Sequence, residues 1–170
     1  MREIEAKILA INRTFVLKKL KALGARKVFS GRITAVYYDF KNDKLSSQGK
    51  VLRLRKKGPK IELAYKQKRS KKNAKIMDEH ETLLTDFPAA QRILRGLGLK
   101  EYRRVKKHRT SYALGDSRFE IDTIEGLPTF LEIESPSVKK LAKAVKKLGY
   151  SKSDAKPWST WDLFKHYKKY

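Results

Sequence analysis

Carboxylates recur in this chain as pairs two residues apart: Glu3/Glu5, Glu79/Glu81, Glu120/Asp122 and Glu132/Glu134. In an extended strand, residues i and i+2 project from the same face. Each pair therefore aims two acids at one place. Acids are scarce, 18 Asp+Glu against 42 Lys+Arg, and chance would not keep spacing them this way. A buried carboxylate needs a partner, so the pairs call for bound cations or facing basic groups.

Basic residues repeat with the same period: Lys7 continues Glu3 and Glu5, Arg53 goes with Arg55, Lys66 with Lys68, and Lys107 with Arg109. Apolar residues fill alternate positions, among them Ile4, Leu52, Leu54, Ile121, Leu131 and Ile133. Val105 breaks the pattern by sharing a face with Lys107. The alternation predicts strands over residues 2–9, 26–40, 51–55, 61–68, 76–84, 102–114, 118–124 and 129–134. Helices are expected after the caps Asn12, Asp86 and Ser137, ending near Gly24, Gly96 and Gly149. Residues 69–75, basic and poor in apolar side chains, read as a mobile loop. The aromatic tail with Trp158, Trp161, Leu163, Phe164 and Tyr167 reads as a short packed helix. The sum is one α+β domain over residues 1–170 with a mainly antiparallel sheet.

A flat sheet could leave the charged faces in water and pack its apolar faces under helices. The balance of signs favours a curled or closed sheet with a charged interior. A wetted face in a chain of net charge +24 would be dominated by lysine. Here acids and bases are matched, with arginine at the central positions. Carboxylate oxygens suit Mg²⁺ or Mn²⁺, and Arg forks and Lys points suit phosphate oxygens.

The charge excess favours polyanionic partners. No apolar run is long enough to span a bilayer. Cysteine is absent, which excludes disulfides and thiolate metal sites, and the charged start Arg2-Glu3-Ile4-Glu5 is unlike an export signal; a cytoplasmic protein, monomer or homodimer, is expected. His80, His108 and His166 lack metal-ligand spacing, and no Ser/His/Asp pattern or phosphate-binding glycine loop occurs.

Glu3-Ile4-Glu5-Ala6-Lys7 resembles the E-x-E-x-K signature of the CYTH superfamily, the triphosphate tunnel metalloenzymes that include class IV adenylate cyclases and thiamine triphosphatases. The segments that follow resemble that family in order: Tyr37-Tyr38-Asp39, Leu52-Arg53-Leu54-Arg55, Leu63-Ala64-Tyr65-Lys66, Glu79-His80-Glu81, Lys107-His108-Arg109 with Tyr112, Glu120-Ile121-Asp122 and Phe130-Leu131-Glu132-Ile133-Glu134. The resemblance implies a closed eight-stranded antiparallel β-barrel, a tunnel with helices packed outside, that binds a triphosphate with Mg²⁺ or Mn²⁺. It also implies metal-side carboxylates at Glu3, Glu5, Glu132 and Glu134, with Glu81 and Asp122 as further candidates. Lys7, Arg53, Arg55, Lys66 and Arg109 are implied phosphate ligands, joined by Lys68 and Lys107 on the same period. Lys156 resembles a C-terminal basic residue that closes over substrate.

Three functions remain open from the residues. Water attacking a terminal phosphorus would make a triphosphatase of an inorganic or organic triphosphate, with Tyr37 and Lys66 as candidates to activate it; strand packing is the plainer role for Tyr37. A ribose 3′-hydroxyl attacking the α-phosphorus of ATP would make cyclic AMP. A non-catalytic binder of polyphosphate or nucleic acid would use Lys56-Lys57, residues 69–75 and residues 165–169 as its surface. Hydrolysis needs the fewest additional features.

Overall fold

Strands with one charged and one apolar face satisfy both by curling until the charged faces enclose each other. The computed structural model describes residues 2–167. In chain order the elements are β1 (Arg2–Ile8), α1 (Arg13–Ala22), β2 (Arg26–Asp39), β3 (Lys50–Lys57), β4 (Lys60–Ser70), β5 (Lys75–Leu84), α2 (Phe87–Gly96), β6 (Lys100–Leu114), β7 (Ser117–Thr123), β8 (Phe130–Glu134), α3 (Val138–Lys147), β9 (Ala155–Lys156) and α4 (Thr160–His166). Neighbour order is β5-β4-β3-β2-β6-β7-β8-β1, and β1 also pairs with β5, so eight antiparallel strands close into a barrel. Strand β5 takes Arg2 to Glu5 of β1, and β9 takes Lys7 and Ile8. An eight-stranded barrel has an interior that side chains alone can fill.

The expected caps hold. The side chains of Asn12, Asp86 and Ser137 accept the backbone N–H groups of Phe15, Ala89 and Lys140. Helices α1 and α3 bury Val16, Leu20, Leu141, Ala144 and Val145 against the apolar outer positions of β1, β7 and β8, including Ile4, Ala6, Ile121, Leu131 and Ile133. Helix α2 covers β2 and β3 through Ala90 and Leu94 on Val36, Tyr38 and Leu54. The Asp39 carboxylate, 2% exposed, accepts the backbone N–H groups of Phe40, Leu45 and Ser46. It thereby folds the loop that carries the chain from β2 to β3.

A third apolar cluster occupies one end of the bore. Val105, Ile124 and Phe130 of the barrel region meet Leu163 of α4, with Tyr37, Trp158 and Phe164 alongside. Val105 is thus no irregularity: its strand enters the bore where the C-terminal segment closes it. Arg103, one step up the same face, stacks its guanidinium 3.5 Å from the Trp161 ring centroid. Lys71 ties the β4–β5 turn to α4 through Asp162 at 2.7 Å.

The basic stretch 69–75 is a loop only over residues 71–74; its two ends belong to strands. β4 runs to Ser70 and β5 begins at Lys75, with Arg69 bonded to Asp78 at 2.5 Å. The apolar alternation that signals a strand fades where a strand pairs charges instead.

Leu163 is fully buried, so α4 belongs to the cooperative structure. Leu163→Ala should lower global stability by about 2–5 kcal/mol, read as a shift of the urea midpoint with an unchanged slope. An unchanged midpoint would mean that the end seal folds independently of the barrel.

Candidate active site

The bore is lined by the two-residue period of each strand. On the β1–β8–β7–β6 side, Lys7 lies opposite Glu132, Glu120 opposite Glu132, and Arg109 opposite Asp122. The Lys7 ammonium, 1% exposed, meets Glu132 at 2.5 Å and Glu5 at 3.0 Å. Arg109 forks onto Asp122, Nε at 2.6 Å and Nη2 at 2.5 Å. It also donates to Glu120 and, at 3.1 Å, to Glu132. Lys107 adds a third donor to Asp122 at 2.7 Å. Burial acts to lower the pKa values of Lys7 and Arg109, but Glu132 and Glu5 around the first and Asp122 and Glu132 around the second raise them instead. Burial likewise disfavours the Glu5 charge, as does Glu132, yet Lys7 and Lys75 hold its pKa down at about 2.

The facing wall comes from β3, β4 and β5. The Lys66 ammonium bonds both Glu3 oxygens at 2.8 Å and reaches Glu79 at 3.1 Å. Arg53 and Arg55 converge on Glu81 at 3.5 and 3.4 Å, and Arg55 also pairs with Glu62. The Arg53 Nε is buried without a hydrogen-bond partner among the described residues. Burial and the neighbouring Arg53 lower the pKa of Arg55, while burial followed by Arg109 lowers that of Lys107.

Glu134 is different. It lies opposite Glu5 across the β1–β8 ladder and forms no ion pair among the described residues. Burial, reinforced by Glu3, Glu132 and Glu5, pushes its pKa up to about 7. Glu134 thus lies beside Glu3, Glu5 and Glu132 without the ammonium or guanidinium partners that those three have. The hard oxygen donors of the four fit Mg²⁺ or Mn²⁺ better than a softer metal. Among the described residues no three acidic or histidine side chains already converge as a ready-made coordination site, because Glu3 and Glu5 are turned onto Lys66, Lys7 and Lys75.

The structure brings Glu3, Glu5, Lys7, Arg53, Arg55, Lys66, Glu81, Lys107, Arg109, Asp122, Glu132 and Glu134 into one lining. Three candidates stand apart. Lys68 shares the period but is exposed near the end of β4. Lys156 is opposite Lys7 on β9, and its ammonium is taken by the Ser153 carbonyl at 2.7 Å. Tyr37 lies in the apolar end cluster, 6.3 Å from the Tyr102 ring; its electrostatic neighbour is Arg53, and Lys66 is committed to Glu3 and Glu79.

Sequence reasoning passed over Lys75, which bonds Glu5 at 2.8 Å, and the partner Glu62, and it gave the paired acids Glu79 and Glu120 no role of their own. The period would have found Lys75, two residues before Met77 and four before Glu79. It would also have found Lys57, third in the series after Arg53 and Arg55. Burial, then Arg55 and Arg109, pull the Lys57 pKa down to about 8. Parts of the expected polyanion surface are otherwise engaged: Lys57 is half-buried by the bore, Arg69 pairs with Asp78, Lys71 with Asp162, and Lys165 sits 5.4 Å over Trp161. Lys168 and Lys169 fall outside the described residues.

Removing the Arg109 guanidinium strands Glu120 and leaves Asp122 and Glu132 with only Lys107 and Lys7. Arg109→Ala should cost about 3–5 kcal/mol near neutral pH. The uncompensated Glu120 carboxyl then has a folded pKa above its unfolded one, so the variant regains stability relative to wild type as pH falls toward about 4. Chemical denaturation across pH reads this; a loss that stayed constant with pH would contradict the network.

A family model described as the CYTH domain matches residues 1–156. A Methanocaldococcus jannaschii protein provisionally named an adenylate cyclase is 28% identical over 134 residues, covering 79% of this chain and 77% of that one. The solved structure of a Pyrococcus horikoshii OT3 protein superposes with a TM-score of 0.82 at 27% identity, covering 95% and 98% of the two chains. A Hippeastrum protein, provisionally named an adenylyl cyclase and described as revealing a dominant triphosphatase activity, shares the fold with a TM-score of 0.70 at 18% identity, covering 96% and 95%. With a closed eight-stranded bore carrying the E-x-E-x-K strand opposite paired arginines, and a family match over nearly its whole length, this chain belongs to the CYTH domain family.

Proposed function

We propose that this protein is a metal-dependent triphosphatase that hydrolyses an inorganic or organic triphosphate within its bore. The observation that carries this reading is the make-up of the lining. Arg53, Arg55, Lys66, Lys107 and Arg109 share the bore with four glutamates, Glu3, Glu5, Glu132 and Glu134, the last of which forms no ion pair among the described residues. A binder of bare polyanions gains nothing from these acids, which repel phosphate.

Glu3, Glu5, Glu132 and Glu134 would hold Mg²⁺ or Mn²⁺, which supplies charge neutralisation at the bound phosphates. Asp122 and Glu81 serve beside it by fixing guanidiniums: Asp122 locks Arg109, and Glu81 holds Arg53 and Arg55. Phosphate oxygens take the places that Glu3, Glu79 and Glu81 occupy on Lys66, Arg53 and Arg55. Phosphoryl transfer asks mainly for this alignment and electrostatic stabilisation. A water oxygen then bonds to the terminal phosphorus as the bond to the bridging oxygen breaks, releasing orthophosphate and the shortened diphosphate. Lys66 is the group that could orient that water; Tyr37, in the apolar end cluster, and Lys156, held by the Ser153 carbonyl, would have to move to take part.

The cyclase reading uses the same bore, and the provisional name of the Methanocaldococcus relative favours it. The products separate the two. Incubation with ATP, tripolyphosphate and thiamine triphosphate, each with Mg²⁺ and with Mn²⁺, should release orthophosphate and stop when EDTA is added. Cyclic AMP with pyrophosphate would replace hydrolysis by cyclisation. Binding without turnover of any of the three would leave a polyphosphate-binding protein.

Glu134 offers the cleanest substitution, because no ion pair is lost with its charge. Glu134→Gln should keep the urea midpoint at or above wild type and lower turnover by roughly a hundredfold. Undiminished turnover would remove Glu134 from the metal corner.

A further inference from the structure

The bore largely neutralises itself, so the net charge of +24 resides on the exterior, and it is not spread evenly there. Helix α1 carries Arg13, Lys18, Lys19 and Lys21 without a single acid. Helix α3 carries Lys139, Lys140, Lys143, Lys146 and Lys147, again with none. Both helices cover the same side of the barrel, sharing one apolar cluster, and Phe15 of α1 packs edge-on against Tyr150 just beyond α3. All nine basic residues are exposed. Among the described residues only Lys140 has an acidic partner, Asp116.

Part of this arrangement weakens the helices that carry it, although Lys19, Lys21, Lys146 and Lys147 stand in last turns, where the dipole favours cations. Lys139 with Lys143, and Lys143 with Lys147, are like charges four residues apart, each unfavourable by a few tenths of a kcal/mol. Arg13, Lys139 and Lys140 stand in first turns, where the helix dipole disfavours cations, and neither first turn contains an acid. A surface selected for solubility mixes both signs. A single-sign face at a cost to its own helices points to an external polyanion.

We propose that the α1–α3 face binds the phosphate backbone of double-stranded nucleic acid without reading its sequence. Each ten-residue helix is about 15 Å long, the length of roughly four base pairs. That spread is far too wide for a single compact anion. Along α3, Lys140, Lys143 and Lys147 border a groove of about 190 Å³ beside Gly115, Asp116 and Phe119, open to a phosphate strand. A membrane-surface helix would add a band of exposed aromatic and leucine side chains; the large exposed apolar residues of these two helices are Phe15 and Val138. Protein interfaces centre on apolar anchors and are depleted in lysine, unlike this face. The inference does not rest on the chemistry of the bore.

The test uses the full chain and a labelled DNA duplex of about 24 base pairs, followed by fluorescence anisotropy from roughly 50 to 300 mM salt. The variant K18Q/K21Q/K140Q/K143Q/K147Q should bind at least about tenfold more weakly, with a salt slope shallower by about 2–4. The control K41Q/K44Q/K56Q/K60Q/K106Q removes the same charge from other exposed positions and should retain most of the affinity. Melting curves for both variants establish that they are folded. Equal losses in the two variants would overturn the assignment to this face. Failure of the wild-type chain to bind duplex at about 50 mM salt, or binding only to phosphatidylserine-containing vesicles, would overturn the proposal altogether.

Discussion

An enclosed charge must be answered by an opposite one, and that requirement organises the molecule. Lys7, Arg109 and Asp122 are almost wholly removed from water, where a lone ion costs several kcal/mol. Each survives because strands from different parts of the chain deliver its counter-charges: Glu132 to Lys7, Asp122 and Glu120 to Arg109. The apolar outer faces supply the driving force for closure through α1, α2 and α3. The pairing inside decides which register that closure takes, since a slip of one residue would turn the charges outward and the apolar residues in.

The same rule explains what could be read without coordinates. Side-chain parity in a strand is fixed by backbone geometry, so Glu3, Glu5 and Lys7, or Arg53 and Arg55, were legible as one lining. The caps Asn12, Asp86 and Ser137 were legible because their chemistry is local. Lys75 was not, because its strand starts on charge and lacks the apolar beat that marks an element. Lys57 was hidden for a related reason: beside Lys56 it resembles surface charge, and only its register opposite Ile33 places it toward the bore. Which acid meets which base depends on long-range pairing such as β1 with β5, and no local pattern encodes that.

The two ends of the barrel are unlike. At one, Val105, Phe130, Tyr37 and Leu163 form an apolar seal, reinforced by Arg103 stacked on Trp161 and by the Lys71–Asp162 pair. Towards the other, Arg55, Arg109 and Arg118 act together on Lys57, with Glu62 as the acid among them. Positive potential there attracts anions, and a water-poor bore strengthens it.

The kinds of cation inside the bore also differ in what they can do. Arg109 is clasped in a bidentate fork and further held by Glu120 and Glu132; leaving those partners would take a cation from three acids at once. Its charge is therefore fixed in place. Lys66 is a single point charge on a flexible stem, bound to Glu3 and Glu79, and a phosphate oxygen can replace a carboxylate there without a change of sign. Glu3, once released, turns its charge toward the corner where Glu134 already lacks a cation. On the proposed function, entry of an anion on Lys66 and of a divalent cation at the glutamates would then be two halves of one exchange, each favouring the other. Such coupling needs no rearrangement of the barrel, because the charges that receive both ligands are already held in register by the strands.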